Sequence, residues 1–236
     1  MPRFFESVSG DTVVISGENA AHMIKSLRMK VGEKVTLSHN GMDYNCEITD
    51  VSETVTCKVL ESVENKTEPT VKVTLFQCMP KGDKFETIVQ KSVELGVDKI
   101  VPVLSSRCVS RPDNKSATKK VARYNKIAYE ACKQCGRGKI VEVENLISFD
   151  EMLKNFENYD IVLMFYEGGG INLKNCELQN ANIAILIGSE GGFDEDEVKR
   201  VKSAGGEICS LGPRILRAET APLAALCSIM IHTENM

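Results

Sequence analysis

From Val71 onward the sequence alternates short apolar runs with longer stretches of helical periodicity, and this alternation constrains the fold more than any other feature. VKVTLFQ, KIVPVLS, IVEV, DIVLMFY, NIAILIG and EICSLG read as strands. GDKFETIVQKSVELG reads as a helix closed by Gly96. Residues 116–135 read as a long helix, with Val121, Tyr124, Ile127, Ala128 and Ala131 near helical spacing. Shorter helices are expected over 148–156, 194–204 and 222–232. Strands that alternate with helices build an α/β domain around a mostly parallel sheet. Ligands of such sheets bind beyond the carboxyl ends of the strands. Three loops are therefore marked: Glu167 to Gly170, Gly188 to Phe193, and Pro213 to Thr220.

The first 70 residues have a different grammar. DTVVIS, EKVTLSHN, MDYNCEITDV and ETVTCKVLESV are short, β-branched and partly alternating. Asn40-Gly41 is a hairpin signal. ENAAHMIKSLRMKVGE reads as a short helix ending near Gly32. The polar stretch ENKTEPT contains Pro69 and marks a boundary. The expectation is a small β-rich domain over 1–70 and an α/β domain over 71–236.

Charge sharpens the functional question. Residues 71–139 hold 15 Lys/Arg against 6 Asp/Glu, whereas 1–70 hold 7 against 11 and 140–236 hold 7 against 16. A basic block inside a chain of net charge −4 suits either a polyanionic partner or a solvated lysine-rich face. No apolar run approaches the roughly 20 residues of a membrane helix, and MPRFFESVSGD has no apolar centre of the signal-peptide kind. A cytosolic location is expected. The nine cysteines are mostly scattered singly and read as reduced thiols. Cys132 and Cys135 would share a helical face, but four-ligand metal spacings are absent, so no metal is expected.

Two motifs carry chemistry. In IGSEGGFDEDEV a buried strand runs into glycines, which let a ligand approach the main chain. Asp194 and Glu197 form a capping-box pattern for the next helix. Glu190, Asp194, Glu195, Asp196 and Glu197 would repel a phosphate, so a neutral or cationic ligand fits better. In SLGPRILRAETAP, Thr220 or Ala221 reads as an N-cap with Pro222 in the first turn. Capping does not explain Arg214, Arg217 and Glu219. The helix beyond is apolar for almost three turns and reads as buried or as a subunit interface.

LIGSEGGF followed by LGPRILRAETA resembles the RsmE family of 16S ribosomal RNA uracil-N3 methyltransferases, within the SPOUT superfamily. HMIKSLRMKVGE, KGDKFETIVQKSVELGVDKIVP and EACKQCGRGKIVEV extend the resemblance, in the family's order, over nearly the whole chain. Ser189 stands where the family usually has proline. The resemblance implies a PUA-like β-barrel, an α/β domain with a trefoil knot, S-adenosyl-L-methionine as cofactor, 16S rRNA of the small ribosomal subunit as substrate, and a homodimer. On this reading Gly188, Gly191, Gly192, Leu211, Gly212 and Leu216 hold the cofactor, and Phe165, beside Tyr166, lines the same pocket. Arg217 would stabilise the uracil anion, and Glu190 or Glu219 would accept its proton. Arg28, Lys81, Lys84, Arg107, Gln134 and Arg137, with Arg3 beside them, are candidates to face RNA. Two alternatives stay open: a SPOUT methyltransferase with another RNA target, and a non-catalytic RNA-binding assembly factor.

Overall fold

A computed structural model describes residues 1–236. The chain divides into two compact units, one of Met1–Glu68 with Cys132–Ile140, the other of Pro69–Ala131 with Val141–Met236. The first unit is thus visited twice by the chain.

The first unit is built on strands β1 (Arg3–Phe5), β2 (Thr12–Ile15), β3 (Lys34–His39), β4 (Met42–Val51) and β5 (Val55–Glu64), in the order β1-β3-β4-β5-β2. β1 runs parallel to β3, and the remaining pairs are antiparallel. β1 carries no alternation long enough to mark it in the sequence. Asn40 and Gly41 both take positive φ, 50° and 76°, as a two-residue hairpin turn of the favoured hand requires. The expected helix before Gly32 is shorter than its pattern: α1 (Gly17–Ala21) runs on only as a π-helical turn, His22–Ser26. Phe4, Ile15, Met23, Val35, Leu37 and Ile48 are fully buried in the core of this unit.

The second unit holds β6 (Lys72–Cys78), β7 (Lys99–Leu104), β8 (Glu142–Val143), β9 (Ile147–Ser148), β10 (Ile161–Phe165), β11 (Ile171–Asn172), β12 (Asn182–Ile187) and β13 (Glu207–Ser210). Their order is β11-β13-β10-β12-β6-β7-β8, with β9 also on β7, and every pair is parallel. Helices α2 (Lys84–Glu94), α3 (Asn114–Cys135), α4 (Phe149–Lys154), α5 (Glu195–Ser203) and α6 (Ala221–His232) connect and follow the strands. β12 is buried from Ile183 to Ile187, the near-continuous apolar pattern of a strand covered on both faces. Asp194 caps α5 through a complete capping box with Glu197. Thr220 holds the N-cap position of α6 with Pro222 in its first turn, but its side chain makes no cap hydrogen bond.

The strand order places β13 between β10 and β11. The segment that leaves β10, forms β11 and returns to β12 therefore crosses β13. Gly170 lies where this segment crosses, since a Cβ there would collide with the Ile208 carbonyl. No helix is long and apolar enough to cross a membrane.

Candidate functional site

A cavity of about 330 Å³ opens at the carboxyl ends of β10, β12 and β13. All three marked loops contribute to it. Phe165, Tyr166 and Glu167 come from the end of β10 and the residues after it. Gly188, Ser189, Glu190 and Gly192 follow β12. Leu211, Gly212, Leu216 and Arg217 follow β13. The β12 loop folds back on itself, with the Gly192 N–H donating to the Ser189 carbonyl at 2.9 Å. Gly192 has φ +62°, and a Cβ there would lie 2.5 Å from Glu167 Oε1. Glycine is favoured at this point because the turn takes a left-handed φ, which L side chains rarely adopt.

The cofactor candidates Phe165, Gly188, Gly192, Leu211, Gly212 and Leu216 all stand on the cavity wall. Gly191 is not on that wall. It turns toward Arg107, whose Cβ would be 3.0 Å from a Gly191 Cβ, while Arg107 Nη1 donates to the Gly191 carbonyl at 3.0 Å. Glu167, Arg214 and Ile215 also line the cavity, although no role was expected for them. Their only signal was position within the marked loops.

Of the catalytic candidates, Arg217 and Glu190 line the cavity and Glu219 does not. Glu219 meets Lys84 instead. Lys84 Nζ stands 2.7 Å from Glu190 Oε1 and 3.5 Å from Glu219 Oε2. The longer approach is close enough for attraction between charges but makes no hydrogen bond, which leaves the buried Glu219 Oε2 without a donor. Glu190 also accepts from the Lys81 N–H at 3.2 Å. Burial alone would raise the Glu190 carboxyl, but the hydrogen bonds from Lys84 and the main chain outweigh it and hold it below its ordinary value. Lys84 is raised, chiefly by its hydrogen bond to Glu190.

Residues 66–230 match the model of an RNA methyltransferase domain, and residues 15–60 that of an RNA methyltransferase PUA domain. The chain is 37% identical to the ribosomal RNA small subunit methyltransferase E of Bacillus subtilis, over 94% of this chain and 91% of that one. The chain belongs to the ribosomal RNA small subunit methyltransferase E family. Among solved structures, the methyltransferase E of Neisseria gonorrhoeae bound to S-adenosyl methionine superposes with a TM-score of 0.89 at 32% identity, covering 99% of this chain and 98% of that one. A putative methyltransferase of Legionella pneumophila in complex with the same cofactor gives 0.90 at 30% identity, covering 98% and 97%.

Arg28, Lys81, Arg107 and Gln134 are exposed. Arg137 is buried, and its Nη2 lies 2.6 Å from Glu68 Oε2, with Nε donating to both Glu68 oxygens. Arg3 is similarly committed, with both terminal nitrogens on the Asp43 carboxylate and one shared with Ser38 Oγ. Lys84 is engaged by two carboxylates, Glu190 and Glu219.

Proposed function

We propose that the chain is an S-adenosyl-L-methionine-dependent methyltransferase that modifies N3 of a uridine in 16S rRNA of the small ribosomal subunit. The observation that carries this reading is the glycine-lined cavity at the ends of β10, β12 and β13, with Arg217 on its wall. The walls suit the cofactor chemically. Phe165, Leu211 and Leu216 offer apolar surface for an adenine, the main chain at Gly188, Gly192 and Gly212 is open to close approach, and Glu167 and Glu190 complement a positive sulfonium. When bound, the cofactor supplies a methyl group on a positively charged sulfur, with a neutral thioether as leaving group.

The chain's own residues must supply the rest. Uracil N3 carries a proton at neutral pH and attacks poorly until that proton leaves. Arg217 is assigned to donate to a uracil carbonyl oxygen and stabilise the developing anion. Glu190 is assigned as the proton acceptor, because of Glu190 and Glu219 it is the one that faces the cavity. Glu219 is assigned to hold Lys84 against Glu190. Alignment of the reactants contributes the remainder.

The crossing of β13 by the β10–β12 segment, with Gly170 at that point, supports a trefoil knot in this unit. A second copy of the chain is the proposed partner, since Ile215 and Ile231 are exposed beside and on the apolar α6. A cytosolic location follows from the proposed substrate. Titration calorimetry with S-adenosylhomocysteine tests the cofactor assignment. A saturable heat is expected, and none would favour a non-catalytic RNA-binding factor. Arg217→Ala is expected to lose at least about a hundredfold in methyl transfer while keeping RNA affinity. An active variant would remove Arg217 from the reaction.

A further inference from the structure

α3 carries its charge in an unusual place. At 100° per residue, Lys115, Lys119, Arg123 and Lys126 fall within about 80° of one another. All four are exposed, and the opposite face buries Tyr124, Ala128 and Ala131. From Lys115 to Lys126 the stripe runs on the order of 16 Å along the helix axis. Arg123 is paired with Glu86, at 2.7 Å. Lys115, Lys119 and Lys126 have no carboxylate partner.

The helix dipole makes this arrangement costly. Cations are disfavoured at a helix N-terminus and anions are favoured there. α4 and α5 obey the rule, opening with Asp150 and Glu151, and with Glu195, Asp196 and Glu197. α3 has no acidic residue in its first turn, where Lys115 stands; the carboxylate that meets its N-terminus is Asp113, just before the helix, which accepts from the Ser116 N–H at 2.7 Å. Asp113 already meets the N-terminal N–H groups, so what an anionic partner would offset is the mutual repulsion of the lysines.

Packing places the stripe near the cavity. Phe85 in the first turn of α2 stacks on Tyr124, with ring centroids 4.6 Å apart and 29° between planes. Glu86, the next residue, holds Arg123. Lys84, the residue before Phe85, holds Glu190 on the cavity wall. One turn of α2 thus joins the stripe to the rim of the site.

We infer that the exposed face of α3 formed by Lys115, Lys119 and Lys126 is a docking surface for the phosphate backbone of the substrate RNA, leading it to the cavity. The inference rests on the RNA methyltransferase reading above. Phosphate contacts give no sequence information but fix the register and orientation of the strand. The stripe therefore sets affinity and presentation, and the cavity selects the base.

The test is a salt titration of binding to 16S rRNA for the wild type, for K115Q/K119Q/K126Q, and for a control, K174Q/K199Q/K202Q, that removes the same charge elsewhere. Glutamine keeps the helix propensity of lysine. The stripe variant is expected to lose on the order of tenfold to a hundredfold in affinity at low salt. Its slope of log K against log[salt] should shrink by roughly two to three, at about 0.7 to 0.9 per lost contact. Its KM for RNA should rise with kcat retained, and its heat with S-adenosylhomocysteine should match the wild type. K115R/K119R/K126R should restore binding, because arginine also neutralises phosphate. A stripe variant with wild-type slope, or a control that loses as much, would overturn the docking surface while leaving the enzyme reading intact. A wild type that neither binds nor methylates 16S rRNA would overturn the enzyme reading, and the docking surface with it.

Discussion

At neutral pH the Asp43 carboxylate is held by three donors: Arg3 at 2.5 and 2.8 Å, Ser38 Oγ at 2.7 Å and Asn65 Nδ2 at 2.9 Å. Burial alone would raise this carboxyl, but the hydrogen bonds, Arg3 first, hold it below its ordinary value. A carboxyl depressed in the folded state contributes stability that is present above its unfolded value of about 4 and lost as pH falls through the folded value. Asp43→Asn is expected to cost about 2 kcal/mol at neutral pH. It should also flatten the acid side of the stability profile. Urea midpoints at pH 7 and pH 3 check this: the wild type should lose more than the variant, and equal losses would contradict the account. The same scale explains why the partners of several site residues are not legible in the sequence. Arg137 and Glu68 stand 69 positions apart, so nothing local indicates that one neutralises the other. Lys84, Glu190 and Glu219 come from three separate segments and meet only when the sheet is assembled.

At the scale of elements, the long apolar strands were legible because burial on both faces leaves a continuous run that polar substitution would interrupt. β6, β7, β10 and β12 fall where VKVTLFQ, KIVPVLS, DIVLMFY and NIAILIG predict them. β1, β9 and β11 span three, two and two residues and carry no period of their own. They are strands because a neighbouring strand offers its edge. The capping box of α5 was legible because both its residues lie within one turn. The crossing at Gly170 was not, since a glycine in a loop looks alike whether or not another strand passes beneath it. Gly170→Ala should destabilise the protein by about 1–3 kcal/mol, because the added methyl meets main chain, which cannot rotate away. Denaturant unfolding measures the effect, and unchanged stability would mean that the crossing is looser than described.

For the whole molecule, charge and cavity divide the work. The basic block of residues 71–139 is not spread evenly: Arg137 and Lys84 are neutralised internally, while Lys115, Lys119 and Lys126 of α3 stand in solvent. The acidic C-terminal third supplies Glu167 and Glu190 to the cavity, where a cationic ligand is expected. Three loops distant in sequence converge there because all leave the carboxyl ends of neighbouring parallel strands, which is why the alternating pattern could mark them in advance. The central claim is that this cavity directs a methyl group to uracil N3. Its most direct test is transfer of labelled methyl from S-adenosylmethionine to intact 30S particles and to free 16S rRNA, with the modified nucleoside identified by mass. The account predicts 3-methyluridine at a single position. Label on another atom or another base, or no transfer to either substrate, would contradict it.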